Sequence, residues 1–198
     1  MGYGVQGRLG DVGAPRLAFA GTSLIIWTVG HSTRSFDEFT DLLAEHRIEL
    51  LADVRRFPAS RRVPWATKEA LARALAILGI AYEHLETLGG YRSPRPNDGN
   101  RGWRNNTFRG YADHMASPEF IAALDHLVLR ATDARTAIMC AEALPWKCHR
   151  TLLSDSLLAR GVRVVHILGR GKTQEHRLTP FAKVHGDQVT YPSRKRRA

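Results

Sequence analysis

Apolar and polar positions along this chain follow two rhythms that take turns. Residues 24–30, 49–54, 80–85, 136–140 and 162–168 are short, mostly apolar runs of strand length. Between them apolar residues recur at helical spacing. Ser35-Phe36-Asp37-Glu38 reads as a capping box, opening a helix with Phe36, Phe39, Leu42 and Leu43 on one face. Thr67 is placed to cap a second helix over 68–78, with Gly79 as its stop. A short helix is predicted over 107–115, and Ser117 caps the next, with Pro118 at its first position. A last helix over 151–160 is stopped by Gly161. This alternation predicts an α/β fold: a single three-layer domain, its mostly parallel sheet of about five strands covered by helices on both faces.

At 198 residues the chain accommodates one domain with tails. A hydrophobic fraction of 43% suffices for a core without cross-links. No apolar run approaches the roughly 20 residues that span a bilayer, so no membrane partner is expected. Residues 1–23 lack the apolar centre of a signal peptide and read as a disordered extension, or as a start codon set too far upstream. The domain is assigned to 24–192, and 193–198 form a basic tail. Two cysteines without a secretion signal point to a reducing, cytoplasmic setting.

One connection breaks the pattern. Residues 86–106 are rich in Gly, Pro, Asn and Arg, and far exceed the usual connection of about 4–6 residues. Tyr91 and Trp103 within it argue for order, and we read it as a lid over a site.

The net charge of +10 is unevenly spread. Arg194-Lys195-Arg196-Arg197 accounts for +4 and residues 1–23 for +1, which leaves +5 on the domain. Arg55, Arg56, Arg61 and Arg62 fall in one loop; Arg92, Arg95, Arg101, Arg104 and Arg109 cluster in or beside another, opposed there by Asp98. Such clumps favour an anionic partner, either a phosphate-bearing small molecule or nucleic acid. The plainer alternative is solubility with scattered ion pairs.

Polar side chains gather where strands end. The first strand runs into His31-Ser32, the second into Asp53-Val54-Arg55, the third near His84, and the fourth into Cys140-Ala141-Glu142; the fifth contains His166. In a parallel sheet these carboxyl ends share one edge, where the ligand crevice forms. Both cysteines lie in the turn from Cys140 to Arg150. Cys148 stands at the start of a helix, where backbone amides, His149 and Arg150 can favour a thiolate. Cys140 and Cys148 are therefore candidate nucleophiles, and Glu142 and His31 candidate acid–base groups. Ser32, Asp53, Arg55, Arg109, Tyr111, His149 and Arg150 are candidate substrate-binding residues. Asp53 and Arg55, two apart on a strand, either orient a substrate together or pair with each other.

A cysteine-phosphatase loop is disfavoured because Trp146 stands where an arginine is needed, while Glu142 and Pro145 oppose anion binding. Rhodanese-like sulfur transfer is a weaker alternative. Seven residues separate the cysteines, unlike the close pairs of structural zinc sites, so no metal is expected. No Gly-x-Gly-x-x-Gly and no phosphate-loop lysine pattern is present, and no cofactor is expected.

In combination these residues resemble the domain-of-unknown-function family 488. Thr28-Val29-Gly30-His31-Ser32 is similar to its opening motif, and Asp53-Val54-Arg55 with Pro58 and Ser60 to its second. Leu88-Gly89-Gly90 and the run from Phe108 to Met115 resemble its middle motifs; Cys140-Ala141-Glu142, Pro145 and Cys148-His149-Arg150, then His166, resemble its last. The resemblance covers residues 24–168 and implies a compact α/β domain of the prokaryotic cytosol without an assigned reaction. The sequence-based expectation is an enzyme acting on a phosphate-bearing small molecule, nucleotide or nucleic acid at the carboxyl edge. Its alternative is a non-catalytic nucleic-acid-binding module using the arginine loops and the basic tail.

Overall fold

In a computed structural model that describes residues 23–59, 62–96 and 99–193, five strands run parallel in one sheet. The proposed extension before Ser23, Ser60, Arg61, Asp98 and the basic residues after Ser193 lie outside the described residues. The strands are β1 (Ile25–Gly30), β2 (Leu50–Asp53), β3 (Ala81–His84), β4 (Thr136–Cys140) and β5 (Arg163–Gly169). A sixth, β6 (Lys172–Glu175), joins β5 antiparallel at the edge, giving the order β3-β2-β4-β1-β5-β6. A separate ribbon pairs β7 (Lys183–His185) with β8 (Gln188–Thr190).

The helices are α1 (Phe36–Glu45), α2 (Lys68–Ile77), α3 (Asn106–His114), α4 (Pro118–Asp133) and α5 (Arg150–Ala159). Strand side chains alternate between two cores, as the period of two requires. Trp27, Val29, Leu51, Ala137 and Met139 meet Phe39, Leu43, Leu71 and Leu75 from α1 and α2. Ile26, Ala52, Ile138 and Val164 face the other way, against Tyr111, Phe120, Leu124, Leu152 and Leu157 from α3, α4 and α5. The three-layer α/β architecture is thus present. The capping box at α1 is formed in both directions: Ser35 N–H donates to Glu38 Oε2 at 2.7 Å and Glu38 N–H to Ser35 Oγ at 3.1 Å. Ser117 caps α4 through Phe120 N–H at 3.2 Å, whereas Thr67 precedes α2 without a side-chain hydrogen bond.

The sequence reading missed β6, β7 and β8 for a physical reason. Lys172–Glu175 is wholly polar and exposed, as befits an edge strand protected by charge, and the two ribbon strands have three residues each.

This topology places the site. β1 and β4 are neighbours, yet the chain leaves β1 for α1 on one face and β4 for α5 on the other. Their carboxyl ends therefore mark a switch point of the sheet, the position where such folds place their ligands. The chain beyond β4 crosses close over β1: His31 N–H bonds Cys140 O at 3.0 Å and Ser32 N–H bonds Ala141 O at 2.8 Å. A Cβ on Gly30 would stand 1.8 Å from the Glu142 carbonyl oxygen, so this position admits only glycine.

Candidate active site

The turn after β4 continues through a 3-10 turn at Pro145–Lys147 into Cys148, His149 and α5. It folds both sulfurs against one imidazole: His149 Nδ1 lies 3.9 Å from Cys140 Sγ and 3.7 Å from Cys148 Sγ. His149 Nε2 is 3.0 Å from the carbonyl of Val54. A carbonyl only accepts, so Nε2 carries the proton and the Nδ1 lone pair faces the thiols. The backbone N–H of Arg150 points at Cys148 Sγ at 3.4 Å. Cys140 and Cys148 are 8% and 4% exposed.

Arg150 is the unusual member. Its side chain is 0% exposed, yet among the described residues no carboxylate contacts it. Its guanidinium donates to the carbonyls of Glu142 and Ala143 and to Thr28 Oγ1, and its Nε has no partner. A buried cation of this kind is costly unless an anion lies near. Cys148 is the group placed to supply one. Burial pushes its thiol up, but a hydrogen bond from Cys140, His149 and the Arg150 guanidinium outweigh burial and hold it well below the ordinary thiol value. Bonding to Cys148, and burial, push the Cys140 thiol well above that value. The two thiols are thus pushed apart, and Cys148 is the one that ionises first.

Cys140 Sγ, Cys148 Sγ and His149 Nδ1 lie within 4.8 Å of one another, so the three could also gather round a thiophilic metal ion. Two thiolates already neutralise a divalent ion, so the Arg150 charge would then lack a counterpart, which favours the metal-free dithiol.

The other expected site residues divide. Asp53 and Arg55 pair with each other: Arg55 Nη2 lies 2.5 Å and its Nε 2.8 Å from the Asp53 carboxylate, and Tyr82 OH adds a bond at 2.8 Å. Arg55 Nη1 also donates to Ala66 O at 2.7 Å. His31 is buried; its Nδ1–H donates to Ser32 O at 2.9 Å and its Nε2 faces Arg55 at 3.4 Å. Desolvation, then Arg55, lower its pKa, keeping it neutral. Ser32 adopts φ 50° beneath it. Tyr111 reaches the site: its ring centroid lies 5.0 Å from that of His149, and its hydroxyl holds Leu88 O at 2.8 Å. Arg109 sits on α3 beside Asn106, its Nη1 3.3 Å from Asn106 Oδ1. Glu142 contributes its carbonyl to Arg150, while its residue is exposed.

At Gly90 the 86–106 segment packs against the imidazole between the thiols. A Cβ on Gly90 would come within 2.8 Å of His149 Nδ1. Further along the segment is pinned: Trp103 packs edge-on against Phe108 and Phe181, and Asn100 bonds Asp113 and Tyr191.

Sequence reasoning missed the neighbouring buried chain. Thr28 Oγ1 bonds His166 Nδ1 at 2.8 Å, His166 Nε2 bonds His176 Nδ1 at 3.0 Å, and His176 Nε2 bonds Asp155 Oδ1 at 2.8 Å. Tyr191 OH and Thr179 N–H complete the Asp155 carboxylate. Desolvation and His176 depress the His166 pKa to about 3. The available signal was Ser154-Asp155-Ser156, polar residues inside an otherwise apolar helix.

No curated protein and no solved structure matches this chain. A family model does, over residues 35–157, a span that holds the β2 end, the covering loop and both thiols but neither His31 nor His166. The chain therefore belongs to the family described as Domain of unknown function DUF488.

Proposed function

We propose that this protein is a cysteine-dependent enzyme acting on an anionic, phosphate-bearing substrate at the carboxyl edge of the sheet. The observation that carries the reading is the buried Arg150, which has no carboxylate and lies beside Cys148 at the start of α5. Cys148 is the nucleophile. Cys140 donates its hydrogen bond to the thiolate, and the His149 Nδ1 lone pair takes up the proton that Cys148 gives up, which is then the proton available for transfer. Attack forms a bond from Cys148 Sγ to the electrophilic atom of the substrate; the leaving group departs with its electron pair and takes the His149 proton. Water then cleaves that bond, returning the thiolate and restoring the proton to His149. Gly89-Gly90-Tyr91 covers the sulfurs and opens to admit substrate.

Alkylation of each cysteine against pH, read by mass spectrometry with and without a chelator, tests this. Cys148 is expected to react well below the ordinary thiol value of about 8.5, ahead of Cys140 and regardless of chelator. Two thiols inert below that pH, or reactivity released only by the chelator, would overturn the reading.

A further inference from the structure

The thiol site leaves open what grips the anion, because Arg55 is held by Asp53 and Arg150 is closed into the core. A different cleft offers the missing charge. It has a volume of about 240 Å³ and is walled by Arg56, Arg92, Arg95, Tyr91, Asp113 and His114. Arg56 follows Val54, the acceptor for His149, by two residues, and Tyr91 follows Gly90, which packs on His149, so two segments run from the imidazole to the cleft.

Three guanidiniums meet there, and among the described residues none forms an ion pair. Arg56 Nη1 donates to Tyr91 O at 2.6 Å, Arg92 donates to the carbonyls of Gly89 and Thr87 at 3.3 Å, and the Arg95 side chain is exposed. Of the nearby carboxylates, Asp113 is taken by Arg95 N–H and by Asn100 Nδ2, each at 2.8 Å, while Glu86 and Glu119 act on Arg92 and Arg95 through space without forming an ion pair among the described residues. Desolvation, then the neighbouring Arg56 charge, lower the Arg92 pKa, with Tyr111 and Glu86 opposing. His114 adds no charge: its Nε2–H bonds Thr87 O, and burial keeps the ring neutral.

The rim carries a second signal. Tyr91 is 74% exposed and holds φ 60°, a strained conformation for a large side chain, with its carbonyl fixed by Arg56. Pockets for whole drug-sized ligands run from about 300 Å³ upwards, so this cleft takes a headgroup and leaves the rest outside, where the Tyr91 ring lies.

We infer that Arg56, Arg92 and Arg95 bind the phosphate of a nucleoside monophosphate-sized molecule whose flat ring stacks on Tyr91. This rests on the thiol-enzyme reading for its purpose but not for its test.

The test is calorimetric titration of the full chain with adenosine monophosphate, adenosine, inorganic phosphate and a single-stranded oligonucleotide. Adenosine monophosphate is expected to bind best, phosphate more weakly and adenosine undetectably. Arg95→Gln, which breaks no side-chain hydrogen bond of the fold, should weaken the monophosphate about tenfold. Tyr91→Ala should reduce the monophosphate to the affinity of phosphate alone. Cys148→Ser should bind unchanged, so loss of thiol reactivity and loss of the anion site are read separately. Equal binding of adenosine and its monophosphate, unaltered binding by Arg95→Gln, or an oligonucleotide that binds far more tightly with a steep salt dependence would each overturn the assignment.

Discussion

Among the described residues two arginines are buried, and their surroundings differ. Arg55, at the end of β2, has its charge matched by Asp53, and Tyr82, Ala66 and Arg55's own backbone complete the cluster. Arg150, at the start of α5, finds three oxygens that are not carboxylates and leaves Nε unpartnered. The nearest carboxylate along its hydrogen bonds is Asp155, reached only through Thr28, His166 and His176. The first region is closed, with each charge answered inside the fold. The second holds a positive charge that a thiolate or a reacting substrate can use. Burial of polar groups is thus not itself a mark of function; an unanswered charge among reactive groups is.

The same substitution at both arginines probes that contrast. Arg55→Met strands the Asp53 carboxylate in the core and should cost about 3–5 kcal/mol in urea unfolding. Arg150→Met strands no fixed charge, because the Cys148 sulfur can reprotonate, and leaves only carbonyls and a hydroxyl, so it should cost about 1–2 kcal/mol. Equal costs would erase the distinction.

The His166 chain sharpens it through pH. His166 is neutral in the fold, with a pKa of about 3, and takes up a proton more readily in the unfolded chain, near 6.5. The unfolded state therefore binds more protons between these values. The contribution is complete above about pH 6.5 and is lost as pH falls towards 3, by on the order of a few kcal/mol. Denaturation curves at stepped pH should show this slope in the native chain and a shallower one in His166→Asn.

A smaller effect is expected at the covering loop. Gly90→Ala places a methyl against His149, and the imidazole must shift, costing about 1–3 kcal/mol and slowing Cys148 alkylation. Unchanged alkylation would mean that the loop does not position the ring. Tyr82→Phe removes one donor to Asp53 and should cost about 1 kcal/mol.

Much of the architecture was legible because it follows from periodicity. The strand–helix alternation, the Ser35–Glu38 box and the gathering of polar residues at strand ends all rest on local spacing. The site was legible as a neighbourhood: Cys140, Cys148, His149, Arg150 and Tyr111 do meet. Roles were less legible, since they depend on partners distant in sequence. Asp53 and Arg55 fit a substrate clamp equally well until Tyr82 and Ala66 are seen to complete an internal pair. His176 carries no pattern of its own; only α5, 21 residues earlier in the chain, supplies its Asp155. Likewise, which arginines face a cleft depends on the path of the 86–106 loop, and no periodicity sets that path.

The central claim is that Cys140, His149 and Arg150 together favour the Cys148 thiolate. Thiolate ultraviolet absorbance against pH reports ionisation without a reagent having to enter, and comparing the native chain with Arg150→Met tests the claim most directly. The account predicts a native midpoint well below about 8.5, absent in Cys148→Ser and raised by a unit or more in Arg150→Met. Coincident titrations at or above that value would contradict it.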